Sequence, residues 1–144
     1  MSLNPYIISG GTYTDERGNL HFFNDFDMLC IKRMYLTTHY SKSVVRAWQG
    51  HVVEDRWFTC VKGAFIIKLI KIDDWENPSD SLDVLEFTLS EENPQVLYIP
   101  KGYVNGFQAL EDHSKLMIMS NYKFNEIQND QIRFDSQKWT TWQQ

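Results

Sequence analysis

The chain has 144 residues and a net charge of −5. With a sequence pI near 5.3, this excludes a general nucleic-acid or membrane-surface protein, because binding a polyanion requires a positive field. The size fits one domain, 1–144, able to bury a core of its own, and aromatic residues at 15% suit either a β-sandwich core or a ligand that stacks. Cys30 and Cys60 both sit in apolar, strand-like runs and read as buried free thiols of a reducing compartment. No charged-then-apolar leader opens the chain, and no apolar run approaches the ~18 residues of a membrane span. Cytoplasm is the expected location, and neither nucleic acid nor membrane is an expected partner.

In chain order, residues 5–14 predict a short strand broken at Gly10-Gly11, then a turn at Asp15-Glu16-Arg17-Gly18-Asn19 and a second strand over 20–24. Residues 29–38 are rich in β-formers and lead through a polar connection, 39–43, into the stretch 44–65. That stretch reads as a hairpin whose two strands meet near 52–56 and close at Lys62-Gly63. Residues 64–72 predict a strand buried on both faces, 73–81 a loop or a short helical turn, and 84–89 and 96–99 two further strands, with a turn at Pro100-Lys101-Gly102. Residues 104–110 and 115–122 read as a last strand pair joined by Glu111-Asp112-His113-Ser114. The polar tail from Asn125 carries Ile132, Phe134, Trp139 and Trp142 as docking residues. About ten short strands and no long amphipathic helix predict an all-β sandwich or barrel.

The chemistry concentrates in 44–65, which holds Arg46, Gln49, His51 and Arg56. Period-2 geometry places Gln49 and His51 on one face and Arg46, Trp48 and Gly50 on the other. His51 is one candidate base. Tyr122 is another proton carrier, at the end of a strand that presents Leu116, Ile118 and Ser120 on the same face. Arg56, Arg46 and Arg17 supply fixed positive charge suited to a phosphate or an enolate oxygen. Each of these residues taken singly also has a structural reading, and only their combination points to a site. A metal-binding jelly roll would need two histidines two residues apart, a nearby Glu, and a third His after a Pro-x-Gly turn. Here Gln49 and Asn105 stand where two of those histidines would be, which leaves His51 and Glu54, so no metal and no cofactor are expected.

The blocks together resemble the nucleotide-sugar cupins: the dTDP-4-dehydrorhamnose 3,5-epimerases and the dTDP-4-keto-6-deoxyglucose 3,4-ketoisomerases. Asp15-Glu16-Arg17-Gly18 resembles their D-x-R-G block, and Ile31-Lys32-Arg33-Met34-Tyr35 the ketoisomerase I-K-R-V-Y strand. Arg46-Ala47-Trp48-Gln49-Gly50-His51 is similar to the epimerase R-G-L-H and the ketoisomerase R-G-G-H-A-H, with Val61-Lys62-Gly63 matching the turn that follows. Ile99 to Phe107 resembles I-P-x-G-x-A-H-G-F, Ser120-Asn121-Tyr122 falls where epimerases keep a catalytic tyrosine, and Ile132-Arg133-Phe134-Asp135 resembles I-R-W-x-D.

The resemblance implies a single-domain jelly-roll homodimer that binds a nucleotide-diphosphate sugar, dTDP-linked, and moves protons beside the ketone of a 4-keto-6-deoxy sugar without a metal. It assigns His51 as base, Tyr122 as acid and Arg56 to the enolate oxygen. Arg17 and Arg46 go to the diphosphate, with Gln49, Asn105 and Asp135 on the substrate. Three departures stand out. Gln49 occupies the epimerase base position, Asn105 replaces a family histidine, and Ala47 replaces a glycine. A 3,5-epimerase-like reaction is the first expectation, a 3,4-ketoisomerase the alternative, and a catalytically silent nucleotide-sugar-binding cupin a further one.

Overall fold

The structure, a computed structural model, describes residues 3–127 and 129–143. Its strands are β1 (Tyr6–Ser9), β2 (Gly11–Asp15), β3 (Gly18–Phe22), β4 (Arg33–His39), β5 (Val45–His51) and β6 (Arg56–Lys62), followed by β7 (Ala64–Lys71), β8 (Leu85–Ser90), β9 (Gln95–Ile99), β10 (Tyr103–Ala109), β11 (Ser114–Ser120) and β12 (Ile132–Arg133). Among the described residues there is no helix. The strands form two five-stranded antiparallel sheets, β1-β9-β6-β11-β4 and β12-β5-β10-β7-β8, with β2-β3 as a separate hairpin. This is the expected all-β jelly roll.

Two expectations about pairing are corrected. From β4 to β7, and again from β8 to β11, each strand lies in the sheet opposite its predecessor. The stretch 44–65 is therefore not a hairpin: β5 pairs with β10 and β12, and β6 with β11 and β9. Likewise β10 and β11 are not partners but belong to opposite sheets. Alternation along a strand records which face is buried and carries no information about the neighbour at its edge. The crossing at 52–55 is held by Asp130, whose carboxylate accepts the backbone N–H groups of Val52, Val53 and Glu54 at 2.7–3.1 Å. The return into β7 turns at Gly63, where φ is +73°, a conformation that glycine adopts without a Cβ clash.

The inner faces meet in a core built from alternate residues, including Phe58 of β6, Phe65 and Ile67 of β7, Phe107 of β10, and Leu116 and Ile118 of β11. The outer face of the second sheet is sealed by the chain itself. Trp48 and Val104 pack under Phe134, Trp139 and Trp142, and Trp48 exchanges both backbone hydrogen bonds with Phe134 while its Nε1 donates to the Lys138 carbonyl at 2.9 Å. Position 50, on this face, takes a glycine because a Cβ there would collide with the Trp75 ring. The tail therefore docks as expected. The cysteines differ from expectation: both are free, but Cys30 is exposed in the loop before β4 and Cys60 is half-buried. Burial pushes the Cys60 thiol up to about 12, which leaves it an inert thiol near neutral pH.

Candidate active site

Between the sheets lies a cavity of about 320 Å³, at the lower end of the range typical of ligand pockets. From the first sheet it is lined by Tyr35 and Thr37 of β4, Arg56 and Phe58 of β6 and Ile118 of β11. From the second it is lined by residues 45–49 of β5, Asn105 and Phe107 of β10, and Arg133 of β12. Among these lining residues there are three arginines and no carboxylate, so a chain of net negative charge has concentrated positive charge in one place.

Arg46 reaches the cavity through an irregularity. Across β5 and β10, Gln49 opposes Asn105 and Arg46 opposes Phe107, so three steps on β5 span two on β10. This bulge resets the alternation and brings Arg46 to the inner face beside Gln49. The expectation that Arg46 shares the outer face with Trp48 and Gly50 is corrected accordingly. Gln49 and Asn105 lie side by side on the wall, and the Asn105 amide nitrogen is buried without a partner, a costly arrangement of about 1–3 kcal/mol unless a ligand completes it.

His51 is on the inner face, opposite Tyr103, as its spacing from Gln49 predicts. It does not line the cavity: it is 2% exposed and stands behind Arg56, whose Nη1 lies 2.6 Å from His51 Nε2. Arg56 Nη2 also donates to the Tyr35 hydroxyl. On the far side of the ring, Glu54 Oε2 lies 3.2 Å from Nδ1, and Glu54 Oε1 accepts from Arg33 Nη2 at 2.9 Å. Burial alone would raise the Glu54 carboxyl; the adjacent His51 ring and the charge of Arg56 outweigh it and hold the group at about 2.

His51, Glu54 and Asp130 offer three ligand atoms within 4.8 Å of one another. The donor set does not suit a cation. Glu54 already faces the Arg33 and Arg56 guanidiniums, and Asp130 is committed to three backbone N–H groups, so a metal would meet two positive charges and displace the bonds that hold the crossing.

Three expected site residues lie elsewhere. Tyr122 is two residues beyond the end of β11, where its backbone N–H donates to Ser120 Oγ at 3.1 Å, and it is not on the cavity wall. Arg17 sits on the β2–β3 turn, paired to Asp15 at 2.6 Å with its side chain 82% exposed. Asp135 is exposed and accepts from the Gln137 N–H at 2.8 Å. Tyr35, Thr37 and Arg133 were the residues missed. Arg133 belongs to the same block as Asp135, and a spacing of two would put both on one face of a strand. But β12 ends at Arg133, and Asp135 lies beyond it in a turn that accepts the Gln137 N–H, so only Arg133 is carried to the cavity. Tyr35 had a detectable signal, since it lies in the strand that resembles the ketoisomerases.

Residues 4–143 match the family described as dTDP-4-dehydrorhamnose 3,5-epimerase. The probable low-salt glycan biosynthesis epimerase Agl13 of Haloferax volcanii is 30% identical over 129 residues, covering 84% of this chain and 81% of that protein. Among solved structures, the rmlC epimerase of Mycobacterium tuberculosis superposes with a TM-score of 0.66 at 18% identity over 84% of this chain, which spans 64% of that enzyme's length. A histidine-to-asparagine mutant of the 3,4-ketoisomerase QdtA from Thermoanaerobacterium thermosaccharolyticum, in complex with TDP-4-keto-6-deoxyglucose, superposes with a TM-score of 0.69 at 23% identity over 93% of this chain and 90% of its own. The match over nearly the whole chain, on a jelly roll with an arginine-lined cavity, shows that the chain belongs to the dTDP-4-dehydrorhamnose 3,5-epimerase family.

Proposed function

We propose that the protein is an isomerase that removes and returns a proton beside the ketone of a dTDP-linked 4-keto-6-deoxy sugar, for glycan precursor synthesis. The observation that carries this reading is the single cavity in which Arg46, Arg56 and Arg133 meet without a carboxylate, directly in front of His51. Arg46 and Arg133 hold the diphosphate, for which planar guanidiniums are the preferred partners. Arg56 takes the ketone oxygen and stabilises it as the enolate. In moving to that oxygen its Nη1 leaves His51 Nε2, and the lone pair so freed accepts the proton α to the carbonyl. Gln49 and Asn105 bind sugar oxygens. Tyr35, hydrogen-bonded to the same guanidinium and present on the wall, takes the acid role first assigned to Tyr122.

A ketoisomerase is the second reading, favoured by one feature. His51 and Tyr35 both contact Arg56 and so flank one guanidinium, an arrangement suited to passing a proton between neighbouring carbons on one face of the ring. Epimerisation needs return from the opposite face.

A homodimer and a cytoplasmic setting belong to the same proposal. The outer side of β4 leaves Met34 at 58% and Leu36 at 52% exposed, apolar surface of the kind a second copy covers. Both cysteines are free, in keeping with a reducing compartment. No helix among the described residues is long and apolar enough to cross a membrane.

Incubation with dTDP-4-keto-6-deoxyglucose in deuterium oxide tests the reaction. Label at C3 and C5 marks the 3,5-epimerase, label at C3 alone a 3-epimerase, and carbonyl migration the ketoisomerase. No exchange, together with a His51→Asn variant that behaves as wild type, overturns the catalytic reading. If dTDP still raises the melting temperature by mass action, a silent sugar-binding cupin is what remains.

A further inference from the structure

Glu54 lies at the centre of the buried polar cluster and does not line the cavity. We propose that it is the positioning residue of this site, the carboxylate that, together with the Arg56 guanidinium it steadies, fixes which nitrogen of His51 carries the proton. A guanidinium has only donor N–H bonds and no acceptor, so the 2.6 Å contact of Arg56 Nη1 with His51 Nε2 requires Nε2 to be unprotonated. The proton of the neutral ring is then on Nδ1, which makes no well-aligned hydrogen bond in the free protein and has Glu54 Oε2, at 3.2 Å, nearer than Asp130 Oδ2, at 3.8 Å.

The charged groups facing the ring are Arg33 from β4, Arg56 from β6, Glu54 from the crossing and Asp130 from the tail. Asp130 is the competing acid, 3.8 Å from Nδ1. Its oxygens are already engaged by the N–H groups of Val52, Val53 and Glu54, which leaves Glu54 as the nearer and less committed acceptor. Its second oxygen is anchored by Arg33 at 2.9 Å and lies 3.4 Å from Arg56 Nε. Glu54 thus holds the ring with Nε2 towards the cavity side and steadies the stem of Arg56. When Nε2 takes a proton, the adjacent anion stabilises the imidazolium. The base role of His51 rests on the proposed function, whereas the tautomer does not.

The tautomer can be read directly by proton–nitrogen correlation spectra of the isotopically labelled full-length protein near neutral pH. The wild type is expected to show His51 in the Nδ1–H form. In a Glu54→Gln variant Arg56 loses the anion 3.4 Å from its Nε that holds it against Nε2, and the one amide oxygen can serve either the guanidiniums or the ring, so the pure Nδ1–H population is lost. Glu54→Asp, which keeps the charge, retains part of it. With turnover as a second readout, Glu54→Gln lowers kcat at least about tenfold, the cost typical of losing an outer partner of a functional histidine. KM stays within about threefold, as expected when ground-state binding is untouched. The acidic limb of kcat/KM moves to lower pH, because the anion that favours a charged imidazole is gone. His51 found in the Nε2–H form in the wild type overturns the proposal, as does a Glu54→Gln protein with an unchanged tautomer and pH profile. A wild type that turns over no dTDP sugar, yet whose tautomer responds to Glu54→Gln, overturns only the functional reading.

Discussion

Two polar regions share strands β5 and β6 and are built on opposite principles. Behind Arg56, the cluster of Arg33, His51, Glu54 and Asp130 is almost wholly out of water, and each charge has an opposite charge or a backbone group beside it. In front of Arg56, the cavity wall has three guanidiniums without an acidic neighbour among its lining residues and an amide nitrogen with no partner. Pairing makes the first region part of the fold, since removing any member strands a buried charge. The lack of pairing marks the second as a place for a ligand of opposite charge. Arg56 belongs to both, which is how a residue of the framework can also respond to what enters the cavity.

Removing that shared residue has the largest expected effect. Arg56→Ala leaves Glu54 and His51 buried beside an empty space and is expected to cost about 3–5 kcal/mol, measured as a lower urea midpoint, with loss of turnover. Next comes acid. The Glu54 carboxyl is held at about 2 in the folded protein against an ordinary value of 4.5, so the unfolded state binds the proton more readily. The stability this provides is complete above pH 4.5 and is lost as pH falls towards 2, a contribution on the order of 3 kcal/mol. Urea titrations across that window follow it, and a Glu54→Gln protein whose stability falls just as steeply would contradict the pairing.

The cavity side should behave differently. Arg46→Ala and Arg133→Ala, both at exposed positions, are each expected to weaken dTDP binding about tenfold by calorimetry, as for one charge-assisted hydrogen bond, while changing stability by less than about 0.5 kcal/mol. The smallest effect on stability is expected at Asn105. Replacing its unpartnered amide by Leu is expected to leave the free protein as stable or up to about 1 kcal/mol more so, and to weaken binding of the dTDP sugar. A clear loss of stability would mean that the amide already has a partner and that the two regions are not distinct.

Much of the candidate site was legible because strand chemistry is local. The shared face of Gln49 and His51 followed from a spacing of two, and the register of β5 on β10 keeps Gln49 beside Asn105 on that face. Arg46 was misplaced because one extra residue in β5 inverts every face beyond it, and nothing in Arg-Ala-Trp-Gln marks a bulge. Tyr35 could not be ranked above Tyr122, since both are tyrosines on or after a strand, and only the pairing of Ile118 with Tyr35 across β11 and β4 brings one to Arg56. Arg17 and Asp135 were plausible charges whose sequence neighbours satisfy them locally: Asp15 for the first, the Gln137 N–H for the second.

The sequence by itself determined the all-β class, the approximate position of nearly every strand, the docking aromatic tail and the family. These rest on periodicity, turn residues and motif order, which are written along the chain. Tertiary structure alone decided which strands are neighbours, and with that the route from β5 across the sandwich to β6. Pairing is set by how two sheets bury their inner faces together, a property of residues tens of positions apart. That crossing puts Glu54 behind His51 and Arg56 in front of it.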